Sequence, residues 1–84
     1  MKEKKLKITV SGLTNTGKST MMRFIYLQLL KNGFNVEMNI NEDFKNEDQF
    51  HLTIGHNFNK RLEAIKSKTE IRLNEVQANS EAIE

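Results

Sequence analysis

The feature that most constrains this chain is a glycine pair at fixed spacing between two different hydrophobic patterns. Residues 12 to 20 read Gly-Leu-Thr-Asn-Thr-Gly-Lys-Ser-Thr, a complete G-x-x-x-x-G-K-[ST] segment. Upstream, Leu6, Ile8 and Val10 alternate with polar residues and predict a strand. Downstream, an apolar run predicts a helix over residues 18 to 31. The segment therefore predicts a glycine-rich turn that joins a strand to a helix.

Such a turn at the start of a helix is suited to holding phosphate. Gly12 and Gly17 allow backbone angles and close approaches that a Cβ atom forbids. The backbone N–H groups of Asn15, Thr16 and the residues up to Thr20 are then expected to point into one concave surface. The positive end of the helix dipole lies beside that surface. We therefore expect the turn to bind an anion that carries several charges.

Three side chains complete the expected phosphate site. Lys18 supplies a mobile cation for the β- and γ-phosphates, and the Ser19 hydroxyl stands where it can ligate Mg²⁺. Thr20 can donate a hydrogen bond to the α-phosphate. The sequence therefore predicts a nucleoside triphosphate or another polyphosphate as ligand, with Mg²⁺ as cofactor. ATP and GTP are equally open, because the turn contacts phosphates and not the base.

Residues 5 to 41 resemble the first β-α-β unit of the P-loop NTPase superfamily. The resemblance rests on the segment from Gly12 to Ser19, the helix after it, the Asn32-Gly33 stop and a second alternating run. It is most similar to the N-terminal unit of nucleotide kinases and to short stand-alone P-loop proteins of the kind that phages encode. The kinases imply phosphoryl transfer, whereas the stand-alone proteins imply only nucleotide binding.

The remaining patterns predict a minimal α/β fold in the order β-α-β-β-α-β. Alternation predicts a second strand at residues 34 to 41 and a third at residues 50 to 55, and helical spacing predicts a helix over residues 58 to 67. Residues 69 to 76 favour a fourth strand, with one long C-terminal helix as the alternative. A ferredoxin-like strand order would give the same succession of elements.

Phosphoryl transfer also needs an acid, for which the sequence offers three candidates. Glu42 and Asp43 follow the second predicted strand, where the resemblance to nucleotide kinases implies a general base; an exposed acidic turn is the alternative. The third predicted strand ends in Gly55-His56-Asn57, without the acidic residue that the superfamily implies there. Glu75, at the end of the fourth predicted strand, is the remaining candidate. Hydrolysis, if present, is therefore expected to be slow.

Basic residues later in the chain could add contacts to a bound phosphate. His56 could meet a phosphate at a strand end, although a turn residue is the commoner role of a lone histidine. Lys60 or Arg61 could reach a phosphate from the predicted helix, also across a subunit interface. A simple covering helix with solvent-facing charges is the alternative.

The short length predicts one small domain over residues 1 to 79, followed by a frayed tail over residues 80 to 84. A chain of 84 residues buries a small core, and the absence of cysteine removes disulfides and thiolate metal sites as supports. Between Met21 and Leu30 the predicted helix is apolar on more than one side. We therefore expect a homo-oligomer with Tyr26 at its interface, or else a later helix that covers this face and makes Tyr26 part of the core.

Charge and hydropathy indicate neither a nucleic-acid partner nor a membrane. The net charge is +2, and the basic residues are spread along the chain and not gathered on one face. No apolar run approaches 18 residues, and the basic N-terminus lacks the apolar stretch of a secretion signal. The expected location is the cytoplasm, or the host cytoplasm for a phage-encoded protein.

Overall fold

The computed structural model describes residues 6–13, 17–41 and 43–77. Over these ranges the chain forms three α-helices: α1 (Lys18–Lys31), α2 (Glu47–Gly55) and α3 (Phe58–Lys68). Helix α1 packs against both α2 and α3. No β-strand is present in the described ranges, so the prediction of an α/β fold is wrong, in both its P-loop-like and its ferredoxin-like forms.

Two of the predicted strands are irregular segments in the structure. Residues 6–10 and 34–40 form neither helix nor strand, and no β-ladder joins them to another described segment. Alternation indicates which side chains share a face, but a strand also needs a partner chain for its N–H and C=O groups. The alternation in the second segment still has a structural role, because Met38 is buried and Ile40 packs beside it.

The third predicted strand is helix α2, and local capping explains the difference. The Asn46 side chain accepts a hydrogen bond from the Gln49 N–H at 2.8 Å, and the Gln49 side chain accepts one from the Lys45 N–H at 2.6 Å. This pair of bonds resembles a capping box. Acidic residues in the first turn, Glu47 and Asp48, further favour a helix. In the sequence these start signals are part of a polar stretch that resembles a loop, so the alternation that follows predicts a strand.

Burial confirms the helical period of α2. The strand prediction places Phe50, Leu52 and Ile54 on one face. In the structure Phe50 and Ile54 are only 1% and 6% exposed, whereas Leu52 is 78% exposed. Residues four apart therefore share the buried face and the residue between them points outward, as in a helix.

We expect the Asn46→Ala variant to lose about 1 kcal/mol of unfolding free energy, because the first turn of α2 loses its N-cap acceptor. Urea denaturation followed by circular dichroism measures this loss. The matched control is Asn59→Ala on α3, where the exposed side chain makes no cap and the expected change is within about 0.5 kcal/mol. Equal stability of the two variants would contradict the cap.

The fourth predicted strand and its helical alternative are both wrong. Helix α3 ends at Lys68, and the C-cap Thr69 is extended, with φ −125° and ψ 128°. The segment from Thr69 to residue 77 continues without helix or strand. Leu73 is 91% exposed, so it has no surface to pack on, and apolar spacing without a packing surface does not hold a short helical extension.

The predictions for α1 and α3 are confirmed. Helix α1 stops at Asn32-Gly33 as expected: Gly33 takes φ 85°, and its N–H donates to the Leu30 carbonyl at 3.0 Å. The Phe34 N–H donates to the Leu29 carbonyl at 3.0 Å, which completes a Schellman motif. Asn57 is the N-cap residue of α3, but it has the left-handed conformation and its side chain makes no cap hydrogen bond, so the expectation that Asn57 caps this helix is wrong as regards the side chain.

The core is small and lies between α1, α2 and the segment before α2. Its buried members are Met38, Phe50 and Ile54, and the half-buried residues packed on them are Met22, Tyr26, Ile40, Phe44 and Phe58. Phe44 anchors the connection before α2 by an edge-to-face contact with Phe50, with 5.1 Å between the ring centroids. Tyr26 packs on the core and against the His51 ring.

Arg23 connects α1 to both other helices. Its Nε donates to His51 Nδ1 at 3.2 Å, and its guanidinium lies 4.7 Å from the centre of the Phe58 ring. The wide apolar face of α1 is thus covered in part by α2 and α3 of the same chain. Phe24 and Leu30 stay partly exposed, and association into a homo-oligomer stays a prediction.

Candidate phosphate-binding cleft

Gly17 forms the turn that starts α1, and both its backbone and its surroundings require glycine. It is the N-cap residue, with φ 90° and ψ 25°, and its carbonyl accepts the first helical hydrogen bond, from the Met21 N–H at 2.9 Å. A Cβ atom added here would lie 2.6 Å from Ile65 Cγ1. Helix α3 therefore packs directly on the glycine that opens the predicted phosphate site.

The N-terminus of α1 is electrostatically suited to an anion. The first-turn N–H groups, those of Lys18, Ser19 and Thr20, have no acceptor within the helix. The N-cap residue, Gly17, has no side chain that could cap this end, and the first turn contains no acidic residue that would offset the helix dipole. The Lys18 Nζ atom lies back over the preceding segment and donates to the Leu13 carbonyl at 2.9 Å.

A cleft of about 650 Å³ opens at this end of α1. Its volume falls within the range of about 300–1,000 Å³ that is typical of small-molecule sites. Its walls come from the start of α1, the connection before α2, the end of α2 and one face of α3. The lining residues are Gly17, Lys18, Ser19, Thr20, Asn41, Asp43, Ile54, Arg61, Ala64, Ile65, Lys68 and Thr69.

The charged side chains that line this cleft favour an anionic ligand. Among its described lining residues the cations are Lys18, Arg61 and Lys68, and the carboxylate is that of Asp43. The cations come from two different helices, so their meeting at one cleft depends on how α3 packs against α1. A concave surface with an excess of positive charge attracts anions more strongly than the same charges on an open surface.

Arg61 is held in place by the end of α2. Its Nε donates to the His56 carbonyl at 3.0 Å, and its Nη2 lies 3.4 Å from the Thr53 carbonyl. A guanidinium has five N–H donors, and these two contacts use only part of them. The side chain is therefore positioned by the protein while it still faces the cleft.

The structure brings together only part of the predicted site. Gly17, Lys18, Ser19, Thr20 and Asp43 all line the cleft. Predicted residues that the described ranges do not include are Asn15, Thr16 and Glu42.

Other predicted residues lie away from the cleft. Gly12 is exposed in the segment before the turn, and Glu75 is exposed in the segment after α3. His56 and Lys60 are also exposed, and neither lines the cleft, although the His56 carbonyl helps to hold Arg61. Of the predicted acidic residues in the described ranges, Asp43 therefore lines the cleft and Glu75 does not.

The donor set fits a magnesium ion that arrives with its phosphate ligand. Mg²⁺ prefers oxygen ligands and keeps several waters, so one or two protein oxygens together with phosphate oxygens are sufficient. Ser19 and Asp43, which have a hydroxyl and a carboxylate group, both line the cleft. Within the described ranges no group of three or more His, Cys, Asp or Glu residues is placed to hold a metal by itself. Any Mg²⁺ site here would thus depend on the ligand.

Sequence reasoning missed Lys68 and Asn41 as lining residues. For Lys68 a signal was present: Arg61, Ile65 and Lys68 recur at intervals of four and three, which is one face of a helix. Since Ile65 belongs to the apolar residues whose spacing predicts this helix, the cations that flank it on the same face could have been inferred. Asn41 gave no such signal, because its place depends on the path of a segment that is neither helix nor strand.

A second, smaller cleft of about 240 Å³ shares Lys18, Ser19 and Asn41 with the first. Its remaining lining is mainly apolar and consists of Val10, Met22, Asn39, Ile40 and Phe50. The polar groups of this part of the molecule are therefore concentrated in the larger cleft, which is the candidate phosphate site.

Comparison of the chain with known protein families, curated proteins and solved structures gave no match. In the part of the chain that the structure describes, no helix combines the length and apolar character needed to cross a bilayer. The geometry and chemistry of the cleft are therefore the features that indicate a function for this chain.

Proposed function

We propose that this protein binds a nucleoside triphosphate, ATP or GTP, as its Mg²⁺ complex in the cleft at the N-terminus of α1. One observation carries the proposal: Gly17 to Thr20 of the G-x-x-x-x-G-K-[ST] segment line a cleft together with Arg61 and Lys68. The proposal depends on this turn and its cleft alone. It does not require a β-sheet behind them.

Each part of the first turn of α1 has a task in this proposal. The backbone N–H groups at the helix start donate to phosphate oxygens, aided by the helix dipole. The Lys18 ammonium exchanges its bond to the Leu13 carbonyl for a charge-assisted bond to phosphate. Ser19 would hold Mg²⁺ together with phosphate oxygens, and the ion would neutralise part of the phosphate charge.

Binding is the principal activity in this proposal, and any hydrolysis is slow. Fast phosphoryl transfer needs a nucleophile held in line and aided by a base, together with metal and cationic groups on the transferred phosphate. Asp43 is the carboxylate that the described lining offers for orienting a water molecule. A chain with this site is suited to sequestering or sensing a nucleotide. We propose the cytoplasm as the site of this activity. The chain has no cysteine, so its fold does not depend on disulfides, which the reducing conditions of the cytoplasm would break.

Calorimetric titration of the purified protein with ATP, GTP and a non-hydrolysable analogue, with and without Mg²⁺, tests the proposal. We expect saturable binding of all three triphosphates, tighter with Mg²⁺, and no binding of adenosine as the uncharged control. Phosphate release is measured on the same samples and separates binding from slow turnover. Failure of both ATP and GTP to bind at millimolar concentration in the presence of Mg²⁺ would overturn the proposal.

A further inference from the structure

We infer that α3 supplies a second cationic contact of this site, through Lys68 beside Arg61, and that the cleft consequently selects a condensed polyphosphate over a single phosphate. The inference rests on the proposed function and names a further residue of the same site. A nucleoside triphosphate and inorganic tripolyphosphate share the required chemistry. In both ligands, three linked phosphates spread negative charge over a longer distance than a single phosphate does.

The placement of the cations supports this inference. Lys18 stands at the start of α1, whereas Arg61 and Lys68 stand on α3, and all three line the same cleft. Seven residues separate Arg61 from Lys68, which places their Cα atoms about 10 Å apart along the helix. We expect an anion that contacts Lys18 and both α3 cations at once to extend along the cleft. A single phosphate at the start of α1 is expected to contact fewer of these cations.

Lys68 suits this role better than the other lysines of α3. It is the last residue of the helix and lines the cleft. Lys66 instead forms an exposed ion pair with Glu63 at 2.9 Å, with both side chains more than two-thirds accessible to solvent. Lys60 is exposed and does not line the cleft. Helix α3 therefore contains a cation at the proposed site and a matched cation two residues away from it.

Arg61 is less suitable for a first test, because it also ties α3 to the end of α2. Its bonds to the His56 and Thr53 carbonyls would be lost on substitution, which would mix a packing effect with a binding effect. Lys68 has no such double role in the geometry described, and its place at an exposed helix end leaves the fold intact when it is changed.

The test is a titration series with phosphate, pyrophosphate, tripolyphosphate and ATP at constant ionic strength. It compares the wild type with Lys68→Gln, Lys68→Arg and the control Lys66→Gln. We expect affinity in the wild type to rise with phosphate number. Lys68→Gln should lose about three- to tenfold in affinity for tripolyphosphate and ATP and keep the wild-type affinity for phosphate. Lys68→Arg should restore the wild-type affinities, and Lys66→Gln should leave all of them unchanged.

Two results would overturn the inference while the proposed function stands. One is equal affinity of Lys68→Gln and Lys66→Gln for tripolyphosphate; the other is a loss in Lys68→Gln that is the same for phosphate as for tripolyphosphate. The first result would show that the charge of Lys68 acts only through long-range attraction. The second would show that Lys68 does not distinguish a longer phosphate chain from a single phosphate. Absence of tripolyphosphate and ATP binding in the wild type would instead reject the proposed function, and the inference with it.

Discussion

The Gly17→Ala variant is expected to lose roughly 2–4 kcal/mol of unfolding free energy and to unfold at a much lower urea concentration than the wild type. A residue with a Cβ atom pays about 1–2 kcal/mol for the left-handed conformation that Gly17 adopts. The new Cβ would also lie 2.6 Å from Ile65 Cγ1, and overpacking of this kind costs about 1–3 kcal/mol. A single core in a chain of this size rarely supplies more than about 3–5 kcal/mol, so the loss would be severe.

Relief of the contact by movement of Ile65 is also costly. Ile65 is buried, and a β-branched side chain in a helix has one strongly preferred rotamer. The Gly17→Ala variant should therefore shift α3 away from the turn and weaken ligand binding along with stability. Urea denaturation measures the stability, and titration with tripolyphosphate measures the binding.

Gly33→Ala is the matched control for this prediction. Gly33 also has a left-handed backbone, with φ 85°, but a Cβ atom there would have no neighbour within 4 Å. Its loss should be limited to the conformational cost of about 1–2 kcal/mol. The double variant Gly17→Ala with Ile65→Ala removes the clash and should cost less than the sum of its single changes. Equal losses in Gly17→Ala and Gly33→Ala would show that Ile65 does not press on the turn.

The Lys18→Ala variant is expected to keep the fold and to lose about one to two orders of magnitude in affinity for ATP and tripolyphosphate. A hydrogen bond to a charged group contributes about 1.5–3 kcal/mol, and each 1.4 kcal/mol corresponds to a tenfold change. In the structure the ammonium is bonded only to the Leu13 carbonyl among the described contacts, at an exposed position, so its removal has little effect on packing. Calorimetric titration measures the affinity.

Lys31→Ala is the control for the charge change in Lys18→Ala. Lys31 is the last residue of the same helix, about 20 Å from Lys18 along its axis. The Lys31→Ala substitution changes the net charge by the same amount as Lys18→Ala, but it removes no residue that lines the cleft. Binding of ATP by Lys18→Ala with the wild-type affinity would reject the phosphate role of the turn. An equal loss in both variants would reduce that role to long-range attraction.

Helical elements with strong end signals could be predicted from the sequence, and elements that depend on a partner could not. The Asn32-Gly33 stop of α1 acts within one turn, so it was visible in a short window. The apolar residues at positions 50 to 55 fit both the alternation of a strand and the spacing of a helix. The helix α2 is favoured by the capping bonds of Asn46 and Gln49 and by the burial of Phe50. The predictions of strands at residues 6–10 and 34–40 failed because no described segment pairs with them.

The candidate site shows the same division. Lys18, Ser19 and Thr20 could be predicted as phosphate-site candidates because a glycine turn before a helix is a local feature of the sequence. Helical spacing indicates that Lys68 shares a face with Arg61 and Ile65, but only the packing of α3 against α1 brings that face to the start of α1. Asp43 was proposed for its place after a strand, and it lines the cleft although no strand precedes it.

By itself, the sequence determined the two longer helices, the glycine turn at residue 17 and the chemistry of the first turn of α1. These features depend on backbone angles, caps and spacing within a few residues, which the chain specifies locally. The tertiary structure alone decided that no described segments pair into a sheet, that Ile65 closes on Gly17, and that Arg61 and Lys68 face the same cleft as Lys18. Contacts between residues some fifty positions apart depend on how helices pack, and local patterns do not specify that packing.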